Sequence, residues 1–176
     1  SFLDAWQARH PEAEVETVEP EALLALKPFA PEMLNDRDAL AGIRCFDAPV
    51  YDLARQFRAA DRVVVAAPFW DLTFPAALKI YLERISVTGI TFGYDEGGNS
   101  VGLCKADRLL YITTRGGCFA GTPMDVASCH IKGLGVMYGI PDVRFLDAEG
   151  LDDIRNDKEA ILAAAMDRAD ALAEGF

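Results

Sequence analysis

Apolar residues form two nearly continuous runs in the chain, RVVVAAP at 62–68 and RLLYITT at 108–114. Runs of this kind, rich in β-branched residues, are typical of strands that are buried on both faces of a parallel sheet. The segment DVRFLDA at 142–148 has a similar character. We therefore predict that these three segments are strands of one sheet.

Segments with the spacing of amphipathic helices surround these strands. The predicted helices cover residues 2–10, about 50–60, 75–85, about 123–138 and about 152–173. The segment AEVETVE at 13–19 alternates apolar and acidic residues, which predicts a further strand. Prolines divide 20–61 into short pieces, and the Gly-Gly-Asn turn within 89–103 predicts a hairpin or flap.

Strands and helices thus alternate along the sequence, which is the pattern of an α/β protein. Right-handed crossovers between parallel strands place helices on both faces of such a sheet. We predict a doubly wound parallel sheet in a single domain that spans residues 1–176. Neither an internal repeat nor a low-complexity tract interrupts it.

Composition narrows the class of protein further. The 176 residues carry a formal net charge of −11, so most of the surface repels nucleic acids and anionic membranes. The four cysteines lie far apart without a C-x-x-C pair, which argues against a zinc site and a secreted disulfide framework. Because no apolar window is long enough to span a bilayer, we expect a cytoplasmic protein without membrane segments.

Two loops follow the carboxyl ends of the predicted strands at 62–68 and 108–114, where ligands bind in open parallel sheets. The first, PFWDLTFP, carries Phe69 and Trp70, and the second, TTRGGCFAGTP, carries Arg115, Gly116 and Gly117. The glycines allow close approach of a ligand to the backbone, and the arginine is a permanent cation. An aromatic loop beside a glycine-rich basic loop suits a flat, electron-accepting heterocycle.

Four sequence blocks resemble a known family. APFWDLTFPAALKIYLERI, GITFGYDEGG, TTRGG and DAEGL are similar to the corresponding blocks of the flavodoxin-like NAD(P)H:quinone oxidoreductases and FMN-dependent NADH-azoreductases. The resemblance covers about residues 62–151, with weaker similarity in FLDAWQARHPEAEVET. It implies a flavodoxin-like fold that binds FMN.

The resemblance also assigns site residues. The positions that it implies for FMN binding are Phe69, Trp70, Asp71, Leu72, Thr114, Arg115, Gly116 and Gly117. Tyr94, in the block that matches the family's flap, is expected to border the substrate pocket. Asp71 replaces the Asn that is commoner in the family, and its carboxylate would disfavour the anionic, reduced flavin ring by Coulomb repulsion.

The function implied by the resemblance is transfer of a hydride from NADH or NADPH to FMN and then to a quinone or azo compound. The cofactor supplies the chemistry, so we assign no catalytic acid or base and no metal. The resemblance also implies a homodimer with its active site at the subunit interface. Two alternatives are a flavodoxin-type electron carrier, which the negative charge would suit, and a homologue that no longer binds FMN.

One part of the family pattern has no counterpart in the sequence. The family begins with a central strand and a serine-rich loop that holds the FMN phosphate, whereas this sequence starts with the helical segment after them. We therefore expect the true amino terminus to precede Ser1, which would be the last serine of the phosphate loop. An intact mass equal to the 19.2 kDa of the sequence would contradict this expectation.

Overall fold

A computed structural model describes residues 1–176 as seven α-helices, one short 3-10 helix (Pro49–Tyr51) and five strands. The helices are α1 (Phe2–Arg9), α2 (Pro20–Ala25), α3 (Pro31–Gly42), α4 (Asp52–Ala59), α5 (Ala76–Ile85), α6 (Val126–Tyr138) and α7 (Lys158–Glu174). The strands are β1 (Arg62–Ala66), β2 (Phe92–Tyr94), β3 (Ser100–Gly102), β4 (Arg108–Thr114) and β5 (Asp142–Ala148).

The three apolar segments form a parallel sheet in the order β1-β4-β5. Val64 is in register with Leu110, which in turn is in register with Arg144. Strands β2 and β3 form a separate antiparallel hairpin, with Phe92 opposite Gly102. The predictions of a parallel sheet and of a hairpin within 89–103 are therefore confirmed.

Helices cover both faces of the sheet. Leu109 and Tyr111 of β4 belong to the larger core, which α4, α5 and α6 complete. The intervening residue Leu110 points to the other face, where it packs with Leu146 against α1 and α7. Because successive side chains of a strand alternate between faces, one central strand supplies both cores. The doubly wound architecture predicted from the sequence is confirmed.

Side-chain caps determine where the last two helices begin. Asp125 accepts a hydrogen bond from the Ser128 N–H at 3.1 Å at the start of α6, and Asp157 accepts one from the Ala160 N–H at 3.0 Å at the start of α7. Such caps satisfy N–H groups that have no partner inside the helix. The prediction that α7 begins near residue 152 is wrong, since the N–H of Asp152 donates to the carbonyl of Gly116 at 2.9 Å instead.

The predicted strand at 13–19 is also wrong. Its alternation is reflected in burial, because Val15 and Val18 are half-buried while the glutamates are exposed. However, no strand lies beside it, and backbone hydrogen bonds to a neighbouring strand define a β-strand. The prolines of 20–61 act as predicted, since Pro20 and Pro31 each open a short helix.

The hairpin packs against the carboxyl-terminal end of α6 through Gly102. A Cβ atom at this position would overlap backbone atoms of Tyr138 and Gly139, which cannot move as a side chain can. We expect Gly102→Ala to lower the free energy of unfolding by about 1–3 kcal/mol through overpacking, as measured by urea denaturation.

Gly133, within the helix α6 that Gly102 contacts, provides a matched control. A Cβ atom at Gly133 would have no neighbour within 4 Å, and alanine is a better helix former than glycine by up to about 1 kcal/mol. We therefore expect Gly133→Ala to raise stability. Equal stabilities of the two variants would show that the hairpin is not packed tightly against α6.

Candidate functional site

The loops that follow β1 and β4 lie side by side, as their positions in the sequence predict. The Phe69 N–H donates to the Thr114 carbonyl at 3.1 Å, which continues the pairing of the two strands into the loops. Phe69 stacks on Phe119 with ring centroids 5.2 Å apart. The guanidinium of Arg115 lies over the Phe69 ring, 4.9 Å from its centroid. Phe69 is therefore fixed between a cation and a second aromatic ring.

A tight turn at residues 70–73 shapes the first loop. Trp70 and Thr73 exchange backbone hydrogen bonds at 3.0 and 2.9 Å, and the two central residues, Asp71 and Leu72, have φ angles of 49° and 64°. Positive φ at both central residues is the pattern of a type I′ turn. Asp tolerates this conformation, as Asn does, whereas for Leu it costs about 1–2 kcal/mol. The loop thus holds local strain beside the site, a common feature of functional sites.

Because Leu72 has a positive φ angle, we expect a glycine at this position to give a more stable protein than an alanine, the reverse of the usual order. Glycine adopts positive φ without steric cost, and Leu72 is 39% exposed, so little packing is at stake. We expect Leu72→Gly to be about 1 kcal/mol more stable than Leu72→Ala, as measured by thermal and urea denaturation.

Leu162 is a suitable control because it is 43% exposed and lies within α7. At that position we expect the alanine variant to be more stable than the glycine variant by about 1 kcal/mol. The same ranking at both positions would contradict the strained turn.

The glycine loop is packed closely enough to require its glycines. A Cβ atom on Gly116 would overlap the carboxylate of Asp152, and one on Gly117 would lie 2.9 Å from Cζ of Phe119. The Gly116 and Gly117 carbonyls accept hydrogen bonds from the N–H groups of Asp152 and Gly150, at 2.9 and 3.3 Å. The segment after β5 therefore holds the glycine loop in place.

The side chain of Arg115 points into the protein. Its Nη1 lies 3.1 Å from Oδ2 of Asp125 and 3.2 Å from Oε1 of Glu149, and its Nη2 donates to Oγ of Ser128 at 2.9 Å. The side chain is 1% exposed. Direct contact of Arg115 with FMN stays a prediction. In this chain the buried carboxylate of Asp125 and the half-buried carboxylate of Glu149 already neutralise the guanidinium. Arg115 positions the loops through this ion cluster.

Glu149 links the cluster to the glycine loop. Its Oε1 accepts hydrogen bonds from the N–H groups of Phe119 and Ala120, both at 2.7 Å, in addition to the contact with Arg115. In β4, burial raises the pKa of the Tyr111 phenol, so this side chain stays neutral close to the cluster. The result is a rigid base beneath both loops.

A shallow cavity of about 290 Å³ lies between the two loops. The residues that line it are Phe69, Asp71, Leu72, Gly116, Gly117, Phe119 and Asp152. Five of the predicted site residues are therefore brought together. Trp70 is 62% exposed beside the cavity, and Thr114 joins the site through its carbonyl.

Tyr94 does not join the other predicted residues. It lies on the hairpin that packs at the carboxyl-terminal end of α6, whereas Leu72 contacts the opposite end of that helix, where its carbonyl accepts the Ala127 N–H at 3.1 Å. Tyr94 is 64% exposed and is not among the residues that line the cavity. Tyr94 therefore lies away from the cavity of this chain, and its position beside the substrate pocket stays a prediction.

The sequence interpretation missed Phe119, Glu149 and Asp152. Phe119 lies within the quoted loop TTRGGCFAGTP, and Glu149 lies within the quoted block DAEGL, but neither position indicates its contacts. The sequence pattern predicts Asp152 at the start of a helix, not at the cavity. A loop carboxylate directly after a strand end was the available signal for Glu149.

The cavity has the donors that a flat nitrogen heterocycle requires. The N–H groups of Asp71, Leu72, Gly116 and Gly117 have no hydrogen-bond partner within the chain, so they are free to donate to a ligand in the cavity. The isoalloxazine ring of FMN presents carbonyl oxygens and ring nitrogens that such donors match. The residues present therefore fit the ring. The lining includes no Lys or Arg, so this fit does not extend to the phosphate.

The structure shows neither a metal-binding cluster nor a membrane-spanning helix. Cysteine, histidine and acidic side chains form no group of three or more that could hold a metal ion, and all four cysteines are free. No helix combines the length and the apolar character that crossing a membrane would require.

A parallel sheet covered on both faces, with a ring-sized cavity at the carboxyl ends of its strands, defines a flavodoxin-like protein. The sequence matches a family model described as flavodoxin-like fold over residues 1–173, and the chain belongs to this family. It is 33% identical to the FMN-dependent NADH:quinone oxidoreductase of Clostridium beijerinckii, with 99% of this chain and 87% of that protein covered.

Two further relatives agree with this assignment. The FMN-dependent NADH:quinone oxidoreductase of Coprothermobacter proteolyticus is 35% identical, with 99% of this chain and 88% of that protein covered. The crystal structure of an azoreductase from Bacillus anthracis str. Sterne superposes with a TM-score of 0.85 at 26% identity and covers 99% of this chain and 88% of its own.

Proposed function

We propose that the protein is an FMN-dependent oxidoreductase that transfers electrons from NADH to a quinone or an azo compound. The observation that carries the proposal is the cavity with four free N–H groups in a chain whose relatives are FMN-dependent NADH:quinone oxidoreductases. When FMN is bound, it supplies the exchange of a hydride with NADH and with the acceptor.

The chain's own residues bind and orient. Phe69 and Phe119 form an apolar wall, and the free N–H groups of the turn at 70–73 and of the glycine loop donate hydrogen bonds to the ring. The ion cluster of Arg115, Asp125 and Glu149 keeps both loops in position. No side chain is assigned to proton transfer.

Flavin binding can be measured with a single fluorescent reporter. The chain has two tryptophans, Trp6 and Trp70, of which only Trp70 adjoins the cavity. In a Trp6→Phe variant, added FMN should quench the remaining fluorescence at close to one equivalent. In the matched Trp70→Phe variant, quenching of Trp6 should be much weaker, and equal quenching would place the flavin elsewhere.

Turnover distinguishes the enzyme from an electron carrier. FMN-loaded protein should bleach at the flavin absorbance maximum when NADH is added without oxygen, and a quinone should then restore the colour over many cycles. Bound FMN without catalytic NADH oxidation would favour a flavodoxin-type carrier, which the net charge of −11 suits. Failure to take up FMN would reject both functions.

We also propose a cytoplasmic homodimer. Exposed apolar side chains surround the cavity: Trp70, Leu72, Met124 and Val126 are 62%, 39%, 47% and 46% exposed. Apolar clusters at a protein surface often mark an interface. In a dimer, Tyr94 could reach the cavity of the partner subunit. Light scattering should give twice the chain mass, and Trp70→Glu should weaken the association.

The carboxylate of Asp71 should lower the reduction potential of bound FMN, because reduction adds negative charge to the ring. Asn at this position keeps the positive φ angle and removes the charge. For an exposed carboxylate we expect an effect of about 0.5–1 kcal/mol, so that Asp71→Asn raises the two-electron midpoint potential by about 10–20 mV. Spectroelectrochemistry measures this shift, and Asp167→Asn, on α7, should leave the potential unchanged.

A further inference from the structure

A second cavity, of about 410 Å³, lies on one flank of the molecule. Residues 28–37 form one wall, and α5 and α6 form the other. Its lining shares no residue with the cavity between the two loops. The proposed electron transfer therefore assigns no role to it.

Two arginines contact one aromatic ring beside this cavity, but only Arg37 is among the lining residues. The guanidinium carbons of Arg37 and Arg84 lie 4.8 and 3.9 Å from the centroid of the Phe29 ring. Nη2 of Arg84 donates to the carbonyl of Lys27 at 2.7 Å, but its buried Nε has no partner. Burial, followed by repulsion from Arg37, lowers the pKa of Arg84. The pair is therefore held close without a carboxylate between the two charges.

Nearby acidic groups do not neutralise this pair. Glu83 is engaged by Lys79 at 2.5 Å, and Asp38, which is 71% exposed, lies 3.7 Å from Nε of Arg37. Elsewhere in the chain, arginines are matched more closely, as Arg115 is by two carboxylates. An excess of positive charge is unusual in a chain of net charge −11, and it provides local attraction for an anion.

The remainder of the lining is part apolar and part polar. Phe29, Leu34, Leu82 and Leu134 contribute apolar surface, whereas Ser86, His130 and the ion pair of Lys79 with Glu83 contribute polar groups. Burial and the neighbouring charge of Lys79 lower the pKa of His130, so the ring is neutral at pH 7. A cavity of this volume is within the range of small-molecule sites.

We propose that this cavity binds a small organic carboxylate with an apolar body about the size of one aromatic ring. The guanidinium of Arg37, presented on the Phe29 ring, pairs with the carboxylate, for which its forked donors are suited. The apolar body packs against Leu34 and Leu82. An inorganic anion lacks this second contact and binds more weakly.

Histidine provides the reporter for a direct test. The chain has two histidines, His10 and His130, so a His10→Gln variant leaves a single imidazole, at the cavity. Sodium benzoate is titrated into the FMN-loaded protein, and the His130 proton resonances are followed by NMR. We expect a saturable shift. Benzamide and inorganic phosphate, which each lack one of the two contacts, should give much weaker saturation.

A charge variant tests the recognition. Arg37→Gln removes one of the two cations that line the cavity, the other being Lys79, and should weaken benzoate binding about 10- to 150-fold, the loss of one charge-assisted hydrogen bond. Arg155→Gln, at an exposed arginine far along the sequence, should leave benzoate binding unchanged. Quenching of Trp70 by FMN should be the same in both variants.

The proposal is overturned by an unsaturable response of His130, by equal affinities for benzoate and benzamide, or by equal affinities for benzoate in the wild-type and Arg37→Gln proteins. Phosphate binding as tight as benzoate binding would likewise reject a site for an apolar carboxylate. None of these results depends on NADH oxidation, so the proposed electron transfer is tested separately.

Discussion

Arg115→Met is expected to lower the free energy of unfolding by about 3–5 kcal/mol, the range for breaking a buried ion pair from one side. The substitution leaves Asp125 and Glu149 without their cation in a site where the Arg115 side chain is 1% exposed. It also removes the cation stacked on Phe69. Urea denaturation followed by far-ultraviolet circular dichroism measures the loss.

The control for this variant is Arg155→Met. Arg155 is 84% exposed at its side chain and contacts only the nearby Asp153, so its replacement should leave the free energy of unfolding nearly unchanged. If Arg115→Met unfolded at the same urea concentration as Arg155→Met, the ion cluster would have no structural importance.

Glu149→Gln is a milder change that tests the role of the ion cluster even if Arg115→Met does not fold. The amide keeps an oxygen that accepts from the Phe119 and Ala120 N–H groups, while Asp125 still faces Arg115. We expect a smaller loss, about 1–2 kcal/mol. FMN should bind more weakly, because the glycine loop is held less firmly. Unchanged FMN affinity would show that Glu149 does not position the loop.

The sheet could be predicted from sequence because its strands are continuous apolar runs, although only the central strand β4 is buried on both faces; Val64 of β1 is 42% exposed, so the expectation of burial on both faces is wrong for that strand. Val63 to Val65 and Leu109 to Tyr111 form continuous apolar runs, and no surface helix would have this pattern. The segment at 13–19 has the alternation of a strand, but a strand also requires a partner, which local sequence does not specify. Likewise, Asp152 and Asp157 are equally good helix caps by residue type, and only the contact of Asp152 with Gly116 decides between them.

The site was predictable where chain topology alone brings residues together. Phe69 and Gly116 follow parallel strands that turned out to be adjacent, so their proximity follows from the fold. The orientation of Arg115 does not, because it depends on Glu149, which lies 34 positions further along the chain. Long-range contacts of this kind leave no local signal in the sequence. Tyr94 is a second example. The sequence identifies the hairpin that carries it, but it does not indicate how far that hairpin lies from the cavity.

Gly117→Val is expected to weaken FMN binding about 30- to 150-fold, equivalent to about 2–3 kcal/mol. A Cβ atom at this position would lie 2.9 Å from Cζ of Phe119. The Phe119 ring must then move away from the Phe69 ring, on which it stacks. The branched side chain also obstructs the free N–H groups of the loop. The expected loss combines one or two hydrogen bonds with the contact of one aromatic wall.

Quenching of Trp70 in the Trp6→Phe background measures this loss of FMN affinity. Cys118→Val is the matched control, because it places the same side chain on the next residue of the loop, where Cys118 is exposed and does not line the cavity. The control should bind FMN within about twofold of the parent, which corresponds to about 0.4 kcal/mol. A valine at position 117 would occupy the surface that Phe119 and the glycine loop provide. If Gly117→Val bound FMN as tightly as Cys118→Val, the flavin ring would therefore have to lie outside the cavity between the two loops.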